Sequence, residues 1–288
     1  MKRRRRLDRD NILFLTPGTI IYVLFMIVPI LVCFYYSLTN WNGISSTYKF
    51  IGLKNFKNIL TDSSFWDAVK VTFILTLVST ILQNVFGIFF AVWLNQKEKV
   101  YGFCKTIMFL PAILSSVVVS FIWSYMTQGN GGILNTILGY FGIAPLDYFS
   151  NDFVTTLTVT FVISWAALGF YITVYDASLK TIPEELYESA KIDGVNSITQ
   201  FFYITLPMLM PGITISTIFS LIAGMRQYDF VKIMTPLTIE TVAVNAISRM
   251  TEYNMFGYSV AIVLVLFVVI ALISVLQRVL LKSKEVEY

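Results

Sequence analysis

Charged residues are distributed very unevenly along this chain. Six stretches of at least about 18 residues, the length that begins to span a bilayer core, contain no Lys, Arg, Asp or Glu: Asn11–Tyr48, Val71–Gln96, Thr106–Leu146, Phe153–Tyr175, Gly194–Met225 and Tyr253–Gln277. A peptide group in hydrocarbon finds no water, so a segment that crosses must satisfy its own backbone as a helix. The pattern therefore predicts six spans, at 13–38, 70–95, 106–127, 153–177, 205–227 and 257–280. No segment between them is long enough for a soluble domain, so residues 1–288 are expected to form one membrane domain, with a cytoplasmic tail at 1–11. The first span follows a basic stretch, yet its apolar run from Ile12 to Leu38 is too long for the core of a signal peptide. It is read as a retained helix.

Composition agrees with the pattern. Of 288 residues, 56% are hydrophobic and 13% charged, about half the charge of an ordinary soluble domain. Orientation follows from the short flanks. With six spans both ends share a side, and that side carries fourteen Lys and Arg, including Lys2, Arg3, Arg4, Arg5, Arg6 and Arg9, against seven opposite. Both termini are therefore expected in the cytoplasm. The basic tail is read as a topology anchor at an anionic leaflet and not as a nucleic-acid site.

Several chemistries are excluded. The chain has no histidine, and its two cysteines, Cys33 and Cys104, are far apart. Histidine acid–base catalysis, His-ligated metal and a disulfide framework drop out. Phosphate-binding GxxxxGK[ST], GxSxG and HExxH are missing, so the chain is no ATPase or hydrolase of those kinds.

The connection between spans four and five, residues 179–206, has a helical grammar of its own. Pro183 suits a first helical position, Glu184 and Glu185 suit a first turn, and Gly194 suits the left-handed residue that ends a helix. Ser197 and Gln200 then have capping-box spacing for a second short helix. Leu186, Ala190, Val195, Phe201 and Phe202 lend the loop an apolar side. Its charge is acidic, with Glu184, Glu185, Glu188 and Asp193 against Lys180 and Lys191. Anionic lipid would repel it, which favours a partner's groove.

Glu188-Ser189-Ala190, three residues, Gly194, nine residues and Ile204-x-Leu206-Pro207 resemble the EAA loop of ABC importer permeases, with only Ser189 departing, small for small. The flanking Ile182-Pro-Glu-Glu-Leu-Tyr-Glu188 and Lys191-Ile-Asp-Gly194 are similar to the carbohydrate branch, the maltose-permease-like family. Phe50-Ile-Gly-Leu-Lys-Asn-Phe56, the Phe109-Leu-Pro-Ala112 region with Trp123, Gly132-Ile-Leu-Asn135 and Gly257-Tyr-Ser-Val-Ala261 resemble the same branch. One segment departs: Met234-Thr-Pro-Leu-Thr238 stands where the family commonly has Gly-Gly-Pro.

The resemblance implies an all-α membrane protein with the type I importer permease fold, six transmembrane helices and a cytoplasmic coupling helix. It implies a non-catalytic transport subunit that binds no cofactor itself, with ATP and Mg held by two ATP-binding cassette ATPase subunits. It further implies a second related permease, an extracytoplasmic sugar-binding protein and residence in the bacterial cytoplasmic membrane. Glu188, Ser189, Ala190, Gly194, Ile204, Leu206 and Pro207 would couple to the ATPase.

An uncharged sugar needs hydroxyl partners and aromatic faces. The candidates are Gln83, Asn84, Ser164, Tyr171, Ser216 and Ser220 within spans, and Arg226, Gln227 and Asn245 near the outer mouth. Against these stands the ordinary use of Ser and Thr in membrane helices, bonding their own backbone or supporting packing. Asp176 is expected to be a solvated helix end, and Trp123 and Trp165 to anchor or pack. A permease for a non-sugar solute is an alternative. An ion-coupled carrier would need intramembrane charge pairs, which the charge-free span interiors lack. A phosphotransferase-type carrier would need a phosphorylatable His or Cys on a cytoplasmic domain, and the chain offers neither such a domain nor any His.

Overall fold

The computed structural model describes residues 9–95, 98–129, 131–235 and 238–282. The tail residues Lys2 to Arg6, the pair Pro236 and Leu237 in the departing segment, and the last residues to Tyr288 lie outside the described residues. Among the described residues the regular structure is helical, apart from one isolated bridge between Thr39 and Phe50.

Four unbroken helices are long and apolar enough to cross a bilayer: α1 (Leu13–Ser37), α3 (Ser63–Asn95), α7 (Asp152–Leu179) and α13 (Phe256–Lys282). Two more candidates are bent pairs. Gly102–Ile113, within α4 (Glu98–Ile113), meets α5 (Ser116–Met126) at 97°, and α9 (Ser197–Met208) meets α10 (Met210–Met225) at 67°. Shorter helices fill the connections: α2 (Lys54–Thr61), α6 (Ile133–Tyr140), α8 (Glu184–Ile192), α11 (Asp229–Met234) and α12 (Val242–Thr251). The six predicted spans are thus found if each bent pair counts as one. α3 begins seven residues before the expected 70, in an amphipathic stretch where exposed Asp67 and Lys70 pair at 2.9 Å.

Proline chemistry accounts for the bends. Pro111 has no N–H and its ring crowds the preceding turn. The last turn of α4 tightens, with Leu114 N–H bonded to the Pro111 carbonyl at 3.3 Å, and Ser115 then turns extended (ψ 137°) before α5 restarts. In the other pair Pro207 and Pro211 remove two helical donors one turn apart. A π-turn at Phe201–Thr205 absorbs the first, and the bend falls at fully buried Leu209. Such breaks are tolerated at membrane depth where protein or a water-filled hollow covers them.

The chain divides into two compact units, each with its own packing. The first runs up to Asp62 and takes in Ala246–Val265. Here the Asn55 side-chain amide donates to the carbonyls of Ser37 (2.7 Å) and Thr39 (2.8 Å), closing the loop that follows α1. Asp62 accepts from Arg249 (3.1 Å) and Tyr258 (2.7 Å). Tyr36 and Trp41 stack at 4.3 Å between ring centres, and Phe256 meets Trp41 edge to face.

The second unit, Ser63–Asn245 with the chain from Leu266, is built on α3 and α7, its most extensive helix pair, with α10 against α3 and α4 against α7. Asn151 starts α7 by accepting from the N–H groups of Phe153 and Val154 at 3.1 and 3.0 Å, as an N-cap should. Two apolar clusters lie along the pair. Leu75, Val159, Val162 and Val231 form one; Ala91, Leu94, Ile172, Tyr175 and Leu209 form the other. Between them α3 and α7 present a polar level that includes Gln83, Asn84 and Tyr171. Lipid is as apolar as these side chains, so close packing holds the helices together, and small residues admit it. Gly169 marks one such crossing: a Cβ there would lie 2.5 Å from the Phe109 Cα of α4.

Gly169→Ala is expected to overpack that crossing by about 1–3 kcal/mol and to lower the thermal midpoint of the detergent-solubilised protein. Gly139→Ala, where the new methyl meets nothing within 4 Å, is the matched control and should stay within about 0.5 kcal/mol of the parent. Equal midpoints for the two variants would contradict the close α4–α7 approach.

Candidate functional site

The loop after α7 is a fixed object. Pro183 stands at the N-cap position of α8, one residue before the first helical position expected of it and without a side-chain cap bond, while Glu184 and Glu185 occupy the first turn and Lys191 the last, each charge on the side the helix dipole favours. The helix closes with paired reverse bonds, Val195 N–H to the Ala190 carbonyl (3.0 Å) and Gly194 N–H to the Lys191 carbonyl (3.2 Å). Gly194 sits at φ +70°, the left-handed residue this closure requires. Ser197 and Gln200 do not form the expected capping box. Asn196 caps α9 instead, its side-chain oxygen accepting from Thr199 N–H at 2.8 Å, because it stands one residue nearer the required position.

Ala190 is buried, while Glu188 and Ser189 are exposed, the Ser189 hydroxyl donating back to the Glu185 carbonyl at 2.8 Å. Tyr187 and Thr205 share a hydroxyl contact of 3.2 Å that ties α8 to α9. Ile204, Leu206 and Pro207 are partly buried in α9, directly before the bend. A polar cleft of about 470 Å³ opens between α8 and α9, with Glu184, Glu188, Lys191 and Gln200 on its walls. The apolar side of the loop differs from expectation. Ala190 turns inward and Val195 and Phe201 are half-buried, whereas Ile192, Ile198, Phe202 and Tyr203 stand out, joined by Leu186.

A second hollow, of about 400 Å³, lies against the α4–α5 bend and is enclosed by α3, α7, α10 and α11. Three of the predicted path residues meet there: Gln83, Tyr171 and Gln227, with Ser116 and Phe170 beside them. Gln83 is 3% exposed, and its side-chain carbonyl has no hydrogen-bond partner in the fold. An orphaned acceptor in such a place is costly unless something else satisfies it. At the edge of the hollow the Ser116 hydroxyl donates to the Asp229 carboxylate at 2.5 Å. Asn84 is outside the lining of the hollow, accepting from Tyr175 and donating to the Thr80 carbonyl (2.7 Å) and to Ser220 (3.3 Å).

The other path candidates are placed elsewhere. Ser164 bonds the Thr160 carbonyl at 2.7 Å and borders a separate apolar groove with Trp165. Ser216 is fully buried, and Ser220 donates to the Thr217 carbonyl at 3.0 Å. Arg226 is exposed at the end of α10. Asn245 is buried and donates to Ser64 (2.9 Å) and Glu240 (2.8 Å), a brace between α12 and the start of α3. Trp123 packs on the apolar cluster and meets Trp165 edge to face, as expected of a packing residue.

Asp176 is a correction. It is no solvated helix end: 3% exposed, it pairs with Lys105 at 2.7 Å and Lys180 at 3.1 Å. Lys180 is a helical neighbour one turn on, visible in any sequence. Lys105 is 71 positions away, and only the α4–α7 crossing brings it in.

Broken apolar helices border a hollow that is mostly apolar but carries Gln83, Tyr171 and Gln227, and a capped, exposed loop helix follows α7, an arrangement that fits a membrane-embedded transport component. Comparison with known proteins agrees. The family of binding-protein-dependent transport system inner membrane components matches residues 83–286. A probable ABC transporter permease of Sinorhizobium fredii is 33% identical over 82% of this chain and 77% of its own. The multiple sugar-binding transport system permease protein MsmF of Streptococcus mutans is 32% identical over 95% of both chains. A chain of a bacterial ABC transporter involved in import of the acidic polysaccharide alginate superposes with a TM-score of 0.80, at 20% identity over 96% of this chain and 97% of that one. The chain belongs to the family of binding-protein-dependent ABC importer permeases and is a multi-pass membrane protein with that fold.

The cap assignment is open to test. Asn196→Ala is expected to cost about 1 kcal/mol of local helix stability and to speed amide exchange at Thr199, whereas Ser197→Ala should leave exchange there unchanged. Equal acceleration by both would restore the capping box.

Proposed function

We propose that this chain is the transmembrane subunit of an ATP-driven importer of sugars, oligosaccharides in particular, and that residues 1–288 act as one permease domain. The observation that carries the reading is the rigid coupling loop, a capped helix at the end of α7 whose exposed Leu186, Ile192, Ile198 and Phe202 await a groove. Acidic residues around them disfavour an anionic lipid surface. Glu188, Ser189, Ala190, Gly194, Ile204, Leu206 and Pro207 form the stiff connection from that helix to α10. Several relatives carry sugar names, among them MsmF and the diacetylchitobiose uptake permease NgcF of Streptomyces coelicolor, 31% identical over 81% of this chain. The hollow at the α4–α5 bend is mostly apolar, and Gln83, Gln227, Tyr171 and Phe170 in its lining are the groups that could meet an uncharged polyol.

The assembly in this reading holds a second, related permease, two ATPase subunits that bind ATP and Mg, and an extracytoplasmic sugar-binding protein. Both termini lie in the cytoplasm, as the Lys and Arg counts favour. Closure of the ATPase pair moves α8, and α9 and α10 move with it. Access to the hollow then changes sides, a two-state bias driven by ATP with no chemistry on this chain.

Purification from the native membrane in gentle detergent tests the assembly. The expected result is recovery of an ATPase carrying GxxxxGK[ST] together with a second EAA-loop protein; transport by the chain alone would overturn the reading. Gly194→Trp should stay in the membrane and lose uptake by at least about tenfold, a coupling loss within the usual range, because a side chain strains the left-handed closure at φ +70° and a bulky one fills the space where the ATPase seats. Normal uptake by that variant would remove Gly194 from the coupling surface.

A further inference from the structure

A buried carboxylate in a membrane protein is expensive, and where one persists it holds something in place. Asp176 is such a group: its side chain is 4% exposed, and a single oxygen accepts from Lys105 on α4 and from Lys180 one turn ahead on its own helix. Of the two lysines Lys105 is the more enclosed, 28% exposed against 59%, and makes the shorter contact. Two turns back along α7, Gly169 presses against the backbone of Met108 and Phe109. α4 is thus clamped to α7 at two points, one of charge and one of shape.

The position of the charged clamp gives it meaning. Asp176 lies eight residues before Glu184, where α8 begins, and the turn between them is anchored by buried Leu179 and Ile182. On the other side α4 runs from Lys105 to Pro111 and Ala112, which with Leu114 in the bend belong to the wall of the hollow.

We propose that the Asp176–Lys105 pair carries movement of the loop helix α8 to the bent wall of the hollow, so that both are positioning residues for coupling. The inference rests on the coupling role of α8 proposed above. Lys180 is the C-cap of the same helix as Asp176, so its contact does not link one helix to another.

The test uses the purified assembly in nanodiscs, needs no knowledge of the sugar, and takes ATP with vanadate as its probe. In a background of Cys33→Ser and Cys104→Ala, Leu114→Cys reports exposure of the bent wall to a charged methanethiosulfonate reagent. The parent should change its labelling rate by at least about fivefold on adding ATP and vanadate, the lower end of ordinary site-to-site coupling. Lys105→Asp or Asp176→Lys alone should abolish that response, and the two together, which restore the pair with reversed sign, should recover it to within about twofold. Asp176→Asn, which keeps the shape and removes the charge, is read wherever charge reversal prevents assembly, and should lose the response as well. A merely structural role would lower the amount of assembled complex without altering the response per complex. Unaltered single variants, or a double variant no better than the singles, would overturn the inference alone. A parent with no ATP response would overturn the coupling role of α8 itself.

Discussion

A peptide group surrounded by hydrocarbon has only other protein groups to bond, and the rest of this architecture follows from that shortage of partners. It puts a helix or a bent helix pair in every long uncharged stretch, and the two sharp bends fall where other helices pack against them. The bend between α4 and α5 leaves the N–H groups at the start of α5 without helical acceptors, and Ser115 does not cap them with its side chain. The protein surrounds that end with α7, α10 and α11 and brings the Asp229 carboxylate to Ser116. The hollow is what remains where straight helices would have met and a bent one does not.

The same shortage sorts the polar side chains. Thr72, Thr156, Thr160, Ser164 and Thr214 each return their hydroxyl to the carbonyl one turn behind, so they occupy helix surfaces without needing a partner from another element. Gln83 and Asn84 are too large for that solution. Asn84 finds Tyr175 and Ser220, while Gln83 stands in the wall of the hollow with its carbonyl buried and unpaired. Adjacent in sequence and alike in chemistry, the two residues are separated by helix geometry into a brace and a candidate binding group.

Much of this was legible from order alone. Spans, their count and the loop helix are local properties, written in charge spacing, Pro183, the paired Glu184 and Glu185, and Gly194. The bends were not legible, because Pro111 and Pro207 occur inside apolar runs that read as continuous, and a proline states that a helix is disturbed without stating the angle. The pairing of Asp176 was hidden for a different reason. Its partner is 71 positions away, and only the Gly169 approach decides that Lys105 arrives beside it. Ser164, Arg226 and Asn245 are polar like Gln83, yet they lie away from the hollow at the α4–α5 bend, and a linear pattern does not contain that direction.

α1 shows what the shared constraint leaves undone. The apolar window of Leu13–Ser37 has none of its residues buried within this chain. It is stable as a helix because hydrocarbon forces it to be, and it draws almost nothing from the surrounding fold along that length. During synthesis such a segment can enter the membrane first and wait there, complete in its own hydrogen bonds, while the helices that need one another are still being made. Its apolar faces stay open for lipid or a neighbouring chain, so biogenesis of the core and capture of that neighbour become separate events in time.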